Sequence, residues 1–571
     1  MANSSLWIIL QRMRLPFTVI VFTYAIAMTG LLIIPGVDNH GNQYQLSIFD
    51  AFYFVTYTAT TIGYGELPYD LTHAQKIWVS MSIYLVVLGW FYGIGTLVSL
   101  LQDKLFLSEI ALARFKKTVK NLKENFVIVL GYNETTSEII KKLLQANMRV
   151  VVIEKNQQRA DYLSLEGFIP QVPVLVQDVH QTTSLEYAGI KSHYCKGIIS
   201  LFEENILNLR VTLASKIFNP HINVAVKATT VQDGSNLLDA GANIVENPFM
   251  IIAYQIQMSL IAPSLFKLEN WLYSIDTLDS NIFHIPNNKI IICGYGRFGK
   301  SLTDMFTKHN IHPTIIEIDS QVVQNAKNNG ITNIIHGNAE DQIVLNKALI
   351  HETNLIIIGT DNDTTNLSIV STVKKMNKNT IIISRENELS DFSIFSHAKI
   401  DHIFLPSQIL IHKTTNAIIN PLCDKMIRLL TSKDEQWGQK LLSQLIKTIG
   451  VNPITFELEI TQNTTPELYN YIKQNNTFLL KTLKMSRRDR NQHNNILPLL
   501  IVREDEDILL PSWDTTLKLH DKILFACDEN AKEDVEVLVN NIYEFYYIVT
   551  GEEKSLLLTT FIKNLYKKDT K

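Results

Sequence analysis

Two long uncharged runs, residues 15–37 and 77–102, dominate the hydropathy pattern of the first hundred residues. Each run exceeds the roughly 20 apolar residues that a helix needs to cross the hydrocarbon core of a bilayer. Between them lie a shorter apolar and aromatic segment, residues 49–60, and a glycine-containing loop, residues 61–66. This order predicts a membrane domain over residues 1–102, with two membrane helices, a short half-inserted helix and a loop.

After the second run the pattern changes twice. Residues 103–125 are charged and compatible with a helical linker. Short β-branched strands then alternate with helical stretches, which is typical of βαβ units and a parallel sheet. The predicted strands are 126–130, 150–153, 172–176, 197–201 and 224–226, and the predicted helices include 137–146 and 205–218. Residues 126–275 are therefore predicted to form a Rossmann-like α/β domain.

The same pattern restarts at residue 289, which indicates an internal duplication. Gly131 precedes Glu154 by the same interval that separates Gly294 from Glu317. We refer to the two repeats as the first and second copy. The remaining predicted domains are the second copy at 289–430, a small α+β lobe at 437–530 and a tail at 531–571.

Several smaller elements complete the predicted architecture. Residues 249–266 are predicted to form one long apolar helix that docks on a neighbour, with burial inside the first copy as the alternative. In the lobe, strands are predicted at 454–458, at 499–502 (starting just after Pro498) and at 521–527. The tail is predicted to contain a helix at 535–547 and a solvated, lysine-rich end.

Charge and cysteine usage restrict the setting. The formal net charge is −4, from 52 basic and 56 acidic residues, which gives no indication of a nucleic-acid partner. The four cysteines are far apart and are read as buried, reduced thiols. Arg12 and Arg14 precede the first long run, and a cluster of basic residues lies between residues 104 and 123. The loop between the two runs, in contrast, contains few basic residues. The positive-inside rule then places both termini in the cytosol.

The loop after residue 60 has the residue types that backbone coordination of a cation requires. Thr61, Ile62, Gly63, Tyr64 and Gly65 combine a hydroxyl with two glycines, which reach backbone angles that are costly for other residues. The loop resembles the selectivity filter of potassium channels. That resemblance implies K⁺ held by the carbonyl oxygens of residues 61–64. Because one chain supplies one strand of such a cage, a homotetramer is expected.

The second copy contains a complete G-x-G-x-x-G sequence, formed by Gly294, Tyr295, Gly296, Arg297, Phe298 and Gly299. The glycines suit a tight turn, close approach of a pyrophosphate and contact between strand and helix. A helix starting at about Lys300 would offer free N–H groups to phosphate. Glu317 ends the next strand and is the candidate acceptor for ribose hydroxyls, with Asp319 as its rival.

The first copy lacks this loop. It keeps Gly131, but Asn133 and Glu134 occupy the positions where pyrophosphate would approach. Because Glu154 is retained, binding of a smaller or differently posed ligand stays open. A structural role for the first copy is the favoured interpretation.

Taken together, the pore hairpin, linker, duplicated α/β domains and final lobe resemble prokaryotic two-span potassium channels with tandem RCK domains. The resemblance implies a pore in the inner membrane of a prokaryote and a ring of RCK domains on its cytosolic side, to which each chain contributes two. It also implies regulation by NAD or an adenine nucleotide. Glu66 departs from the aspartate that is usual after the filter. Some RCK domains bind Ca²⁺, for which Asp178, Glu203 and Glu204 are candidates, although solvated surface acids are the simpler explanation.

The resemblance also directs attention to the second membrane run. In such channels a glycine on the inner helix bends at the gate, which makes Gly89 and Gly93 candidate hinges; close helix packing is the alternative. Leu97, Leu100 and Leu101 are candidates for an apolar constriction.

The expected protein is thus a ligand-gated potassium channel in a lipid bilayer and not an enzyme. Two other functions stay open: a membrane-anchored NAD-dependent oxidoreductase and a KTN-type regulatory subunit of a K⁺ transporter. The oxidoreductase would need a catalytic His, Lys or Tyr beside the nicotinamide, and no such group is evident in the sequence.

Overall fold

The computed structural model describes residues 3–279, 289–387, 392–398, 400–504 and 506–554. The chain divides into two compact units, residues 1–121 and 122–571, which are described separately. The elements of the first unit are α1 (Asn3–Ile33), β1 (Gly36–Val37), β2 (Gln43–Tyr44), α2 (Ile48–Ala59), α3 (His73–Gln102) and α4 (Lys104–Asn121).

Two helices of this unit have the length and composition of membrane spans. They are Gln11–Ile33 and His73–Gln102, and only 22% of the most apolar window of each is buried within the chain. Phe22, Met81 and Tyr84 are 67–74% exposed. Apolar surface of this extent is typical of helices that face lipid or partner subunits and not of a soluble core. The two predicted apolar helices are therefore confirmed.

Small residues let α1 and α3 pack closely. A Cβ added at Gly30 would lie 1.9 Å from the ring of Trp78, so no larger residue fits there without displacement. The Trp78 ring donates a hydrogen bond from Nε1 to the carbonyl of Ala27 at 3.1 Å. Between these helices α2 is capped by Ser47, whose hydroxyl accepts from the N–H of Asp50. This framework holds the loop that follows α2.

The first copy contains six strands and seven helices in its described part. They are β3 (Phe126–Leu130), α5 (Glu134–Gln145), β4 (Arg149–Glu154), α6 (Gln157–Leu165), β5 (Val174–Val176), α7 (Thr182–Tyr187), β6 (Cys195–Ser200), α8 (Asn205–Phe218), β7 (Asn223–Lys227), α9 (Val231–Asp239), β8 (Ile244–Glu246), α10 (Pro248–Ile261) and α11 (Pro263–Leu272).

The second copy repeats this order. Its elements are β9 (Ile290–Cys293), α12 (Arg297–Lys308), β10 (Thr314–Glu317), α13 (Ser320–Asn328), β11 (Ile334–His336), α14 (Gln342–Lys347), β12 (Leu355–Ile358), α15 (Asp363–Met376), β13 (Ile381–Arg385), α16 (Phe392–His397), β14 (His402–Phe404), α17 (Pro406–Ile419) and α18 (Pro421–Leu430).

Both copies form parallel six-stranded sheets with the same topology. The strand orders are β5-β4-β3-β6-β7-β8 and β11-β10-β9-β12-β13-β14. Each order reverses beside its first strand, β3 or β9, and ligands of open α/β sheets bind at the carboxyl ends of the strands at such a point. The five predicted strands of the first copy are present with ends shifted by at most two residues, whereas β8, only three residues long, was missed.

The prediction of one long helix over residues 249–266 is wrong. The structure has two helices, α10 and α11, separated at Ala262, whose φ of −142° is not helical. Pro263 explains the break, because proline lacks the N–H that would continue α10 and disfavours helical angles in the preceding residue.

The helices after each sheet cross between the copies. In α10, Ile256 lies in one buried cluster with Phe298 of the second copy. In α17, Ile411 lies in a buried cluster with Val127 of the first copy. The predicted docking of the 249–266 region on a neighbour therefore occurs within the same chain, and the two copies share their cores reciprocally.

The final lobe is an antiparallel sheet, ordered β15-β18-β16-β17, covered by helices. Its elements are α19 (Glu435–Thr448), β15 (Ile454–Glu459), α20 (Pro466–Lys473), β16 (Ile496–Val502), β17 (Asp507–Leu509), β18 (Lys522–Cys527), α21 (Glu529–Asn540) and α22 (Ile542–Thr550). The predicted strands are present, and the predicted α+β lobe is confirmed.

Two boundary predictions in this region are wrong. Strand β16 does not start after Pro498 but includes it, because the pairing with β18 shifts between Pro498 and Leu500 and so accommodates a residue without an N–H. The single helix predicted over 535–547 is two helices joined at Asn541, whose side chain accepts from the N–H groups of Tyr543 and Glu544. The lysine-rich end, residues 555–571, lies outside the described residues.

Candidate functional site

In the loop after α2 the backbone angle φ is positive, and thus left-handed, at every second residue. φ is +60° at Thr61, +66° at Gly63 and +71° at Gly65, whereas Ile62 and Tyr64 lie outside this left-handed region. In an ordinary strand successive carbonyl groups point to opposite sides. Alternation of hand turns every second peptide over and brings the carbonyl groups to the same side. The loop can thus present a row of carbonyl oxygens along one edge.

Thr61 is the strained member of this row. Left-handed angles cost a residue with a Cβ roughly 1–2 kcal/mol, and a β-branched residue there is a conformational outlier. Strain of this kind persists where the surrounding structure imposes it and is concentrated at functional sites.

The C-terminus of α2 supplies that constraint through hydrogen bonds. The N–H groups of Ile62 and Gly63 both donate to the carbonyl of Tyr57, at 2.9 and 3.2 Å, and the N–H of Thr61 donates to the carbonyl of Thr58 at 3.1 Å. The loop amides are therefore turned towards the helix.

Aromatic side chains hold the outer part of the loop. Tyr64 meets Tyr57 of α2 edge-on, with ring centroids 6.3 Å apart. The hydroxyl of Tyr53 donates to Oε2 of Glu66 at 3.1 Å. In a single chain the loop is exposed, with Ile62 59% accessible.

The candidate hinge glycines lie in the contact between α1 and α3. A Cβ at Gly89 would lie 2.8 Å from Oγ1 of Thr23, and one at Gly93 would lie 2.7 Å from Cδ1 of Ile20. Close packing thus accounts for both glycines, and bending stays a prediction. Leu100 is buried and packs in one cluster with Met13 and Phe106.

Of the three leucines proposed for the constriction, Leu97 and Leu101 are exposed, 42% and 58%. The structure therefore leaves these two, and not Leu100, available to line a pore.

Substitution of Gly93 separates the two roles. Gly93→Ala places a methyl group against Ile20, and overpacking of this kind is expected to destabilise the protein by about 1–3 kcal/mol. Ile20→Val removes the clashing Cδ1, so packing predicts that the double variant regains both its melting temperature and its gating. Recovery of stability with gating still altered would instead assign Gly93 a bending role. Gly95→Ala, whose Cβ meets nothing within 4 Å, is the control for the melting measurement.

In the second copy the glycine-rich sequence borders a cavity of about 500 Å³. Gly294 has a φ of +95°, which fits the predicted tight turn. A Cβ at Gly299 would lie 2.0 Å from the carbonyl oxygen of Gly294, which fits the predicted contact of strand and helix. Tyr295, Arg297 and Phe298 also line this cavity.

Gly296 is the most informative position of the loop. It is the N-cap residue of α12, which begins at Arg297 and not near Lys300 as the sequence predicted. Glycine provides no side-chain cap, and a Cβ at Gly296 would meet no atom within 4 Å. The first N–H groups of α12 therefore face open space, where an anion can accept from them.

Glu317 is buried and holds the loop. Its Oε2 accepts from the N–H of Tyr295 at 2.6 Å, and its Oε1 accepts from the N–H of Asp319 at 2.9 Å. In the first copy Glu154 does the same with Tyr132 at 2.6 Å and with Asn156. Retention of this glutamate in both copies has a structural cause and is not by itself a sign of nucleotide binding.

Asp319 differs from Glu317 in exposure. Its Oδ1 caps α13 by accepting from Gln321 and Val322, and its Oδ2 accepts from no donor in the described part of the chain. The side chain lines the cavity, so Asp319 has an oxygen available for a ligand hydroxyl.

The first copy closes the equivalent helix terminus with its own side chains. Oδ1 of Asn133 accepts from the N–H of Thr136 at 2.9 Å, and Oγ1 of Thr136 accepts from the N–H of Asn133 at 2.8 Å. This capping box satisfies amides that the second copy leaves open.

Among the cavity residues that sequence reasoning missed are Phe249 of α10 and Arg385 at the end of β13. The guanidinium groups of Arg297 and Arg385 lie 4.6 and 4.9 Å from the centroid of the Phe249 ring. A signal for Arg385 existed, because Lys227 ends the equivalent strand β7 and both copies thus place a cation there.

The Ca²⁺ candidates are not assembled into a site. Asp178 pairs with Lys155 at 3.1 Å, and Glu203 pairs with Lys227 and, at 3.6 Å, with Arg297. The described residues contain no group of three or more His, Cys, Asp or Glu side chains arranged to hold a metal ion.

Comparison with known families matches the membrane unit and both α/β copies. Residues 16–103 match the ion channel family, and residues 127–248 and 290–406 each match the TrkA-N domain.

Individual relatives cover only parts of the chain. An uncharacterized protein of Methanothermus fervidus is 27% identical over 277 residues, which cover 46% of this chain and 42% of that protein. Potassium channel protein 1 of Methanocaldococcus jannaschii is 26% identical over 260 residues, which cover 45% of this chain and 73% of the relative. The chain thus spans less than half the length of the first relative.

Among solved structures, the GsuK channel bound to NAD is 13% identical and aligns over 94% of this chain and 99% of that chain, with a TM-score of 0.47. The chain joins an ion-channel domain to two TrkA-N domains and is homologous to archaeal potassium channel proteins.

Proposed function

We propose that four copies of this chain form a potassium-selective channel whose gate responds to a nucleotide bound in the cytosol. The observation that carries the proposal is the alternating backbone of residues 61–65, which turns consecutive carbonyl groups to one side. Four such rows around an axis replace the hydration shell of K⁺ with backbone oxygens. The loop is exposed in one chain because its ligand and its neighbours lie on the open side.

The electrostatics of α2 support a cation at this position. The C-terminal end of a helix carries a partial negative charge, and α2 ends at Ala59, directly before the loop. The carbonyl groups of Tyr57 and Thr58 hold the loop amides, so the amides are directed away from the row of oxygens. A cation in the row therefore meets oxygens and the negative end of a helix dipole.

The regulatory ligand is proposed to bind in the cavity at Gly296. Its phosphates accept from the open N–H groups at the start of α12 and lie near Arg297, while the ribose hydroxyls donate to Oδ2 of Asp319 and to the remaining lone pairs of Glu317. These carboxylates disfavour a 2′-phosphate, so NAD or an adenine nucleotide fits the site better than NADP.

Binding, and not chemistry, is the proposed role of this cavity. Its described lining contains carboxylates, amides and two arginines but no histidine or lysine to act on a bound nicotinamide. Its one tyrosine, Tyr295, is buried in a cluster with Ile315 and Val323. A ligand that prefers one arrangement of the copies changes the gate through linkage, and such couplings are typically about 1–3 kcal/mol per site. Four sites acting together can then shift the gate decisively.

The proposed setting is the inner membrane of a prokaryote, with both termini in the cytosol. The relative named potassium channel protein 1 supports the assignment of the ion. Helix α4, which follows α3 after Asp103, is the proposed connection along which the cytosolic domains act on the gate.

K⁺ flux into liposomes that contain the purified protein tests this proposal. Flux is expected to depend on K⁺, to be far smaller with Na⁺, and to change when NAD⁺, NADH, ADP or ATP is added on the side of the cytosolic domains. Protein that passes no K⁺ under any of these conditions would favour a regulatory subunit of a separate transporter. Turnover of NADH with a second substrate would favour the oxidoreductase.

A further inference from the structure

A second cavity lies between the two copies. Its volume is about 400 Å³, and its walls come from the first copy and, in the second copy, from the start of α17 and from Arg297, Arg385 and Asn387. It occupies the carboxyl edge of the first sheet, where the degenerate glycine loop provides no open helix terminus. It is separate from the nucleotide cavity, although the two share Phe249, Arg297 and Arg385.

The charge of this cavity is strongly unbalanced. Its described lining includes four cationic side chains, Arg159, Lys227, Arg297 and Arg385, and a single carboxylate, that of Glu203. Burial lowers the pKa of Arg385 and the nearby positive charge of Arg297 lowers it further, whereas the carboxylates of Asp363, Asp361 and Glu203 raise it by smaller amounts. A buried cationic group requires a compensating partner, and the one carboxylate is already paired with Lys227 and Arg297.

Two buried donors in the cavity wall have no acceptor. In the described part of the chain, neither Nε of Arg385 nor Oγ of Ser407 has a hydrogen-bond partner. Buried polar groups in folded proteins are almost always satisfied, and an orphaned one calls for a bound molecule or ion. Both donors line the same cavity.

The start of α17 adds a third feature. This 14-residue helix has Leu405 at its N-cap, and no side chain caps it. The equivalent helix α10 is capped by Asn247, which accepts from the N–H groups of Phe249 and Met250. The uncapped terminus leaves partial positive charge at the cavity.

The copies differ at this point in size as well as in capping. Phe249 and Ser407 are the second residues of the equivalent helices α10 and α17. The Phe249 ring fills the space between the two arginines, whereas Ser407 is small and leaves the cavity open on its side.

We propose that this cavity binds a small phosphate-bearing anion through Arg159, Lys227, Arg385, Ser407 and the start of α17. An anion here accepts from the orphaned Nε and Oγ groups and compensates the excess positive charge. The site does not depend on the glycine loop of the second copy. Because Arg297 and Arg385 line both cavities, a phosphate in one reduces the charge available to a phosphate in the other, and the two sites bind their anions with negative coupling.

Calorimetry with inorganic pyrophosphate tests the site on the full-length protein in lipid nanodiscs. Gly296→Asp is introduced first, so that the glycine loop repels phosphate and pyrophosphate binding reports on the second cavity. In this background one pyrophosphate per chain is expected to bind. Arg159→Gln, which removes an exposed cation that lines only the second cavity, is expected to weaken binding about tenfold.

Ser407→Phe fills the cavity as Phe249 does between the arginines and is expected to eliminate the binding. Its melting temperature is compared with the parent, and Arg159→Gln decides the matter if Ser407→Phe does not fold. Competition by ADP would identify a nucleotide as the occupant, and its absence a simpler phosphate compound; either result supports the site. No binding of pyrophosphate in the Gly296→Asp background, or binding that neither variant alters, would overturn the proposal without affecting the proposed channel function.

Discussion

Replacement of Gly63 with alanine is expected to abolish potassium-selective flux. Gly63 has a φ of +66°, and the alternation of hand along residues 61–65 depends on it. Alanine at left-handed angles costs roughly 1–2 kcal/mol per chain, and the cost is incurred four times in the proposed tetramer. The peptide is expected to turn over and direct an N–H towards the ion path. Flux of K⁺ and Na⁺ into liposomes measures the effect.

Gly41→Ala is the matched control for this substitution. Gly41 also has positive φ, +85°, and its Cβ would meet no atom within 4 Å, but it lies between β1 and β2, outside the loop. The backbone cost is therefore similar while the row of carbonyl groups is untouched. We expect Gly41→Ala to retain K⁺ selectivity. Equal selectivity in the two variants would contradict a coordinating role for residues 61–65.

Gly296→Asp is expected to eliminate the response to nucleotide while the protein stays folded. The N-cap geometry of Gly296, with φ of −73°, suits aspartate, which is among the preferred N-cap residues. Its carboxylate would occupy the open space at the start of α12 and repel the phosphates of a ligand. Juxtaposed like charges cost several kcal/mol, so the affinity is expected to fall on the order of 100-fold or more. Nucleotide titration of K⁺ flux measures the loss.

Asn133→Asp introduces the same residue at the equivalent N-cap of the first copy. The terminus there is already closed by the capping box of Asn133 and Thr136, so this variant is expected to reduce the nucleotide response far less than Gly296→Asp does. Substitution at Glu317 is less informative, because its carboxylate holds the backbone of the loop. A normal nucleotide response of K⁺ flux in Gly296→Asp, with a melting temperature no lower than that of the parent, would show that the glycine loop does not bind the regulatory nucleotide.

The elements that the sequence predicted well are those with a strong periodic or compositional signal. Long runs of apolar residues predicted the two apolar spans. The repeated alternation of strand and helix patterns predicted the duplicated parallel sheets, and the change in that pattern after the second copy predicted the final lobe. The loop at 61–65 was predicted from its residue types and from its resemblance to the selectivity filter of potassium channels, and the structure supplies the alternating backbone that these residue types allow. Local capping was harder: Asn133 was interpreted as an obstacle to phosphate before its role as a cap was visible.

Features that depend on contacts between distant residues could not be read from the sequence. Phe249 and Arg297 are remote in the chain and meet only because α10 crosses into the second copy. Glu317 was assigned to ribose by its position at the end of a strand, whereas its buried carboxylate also accepts a hydrogen bond from the N–H of Tyr295. The packing role of Gly93 became visible only when Ile20 was found beside it.

The reversal potential of single channels in a planar bilayer, with KCl on one side and NaCl on the other, tests the central claim most directly. A cage of backbone oxygens contributed by four loops is selective for K⁺, so the reversal potential is expected to lie far towards the K⁺ equilibrium value and to collapse towards zero in Gly63→Ala but not in Gly41→Ala. A reversal potential near zero in the wild-type protein, or one that does not change in Gly63→Ala, would contradict the claim that residues 61–65 select K⁺.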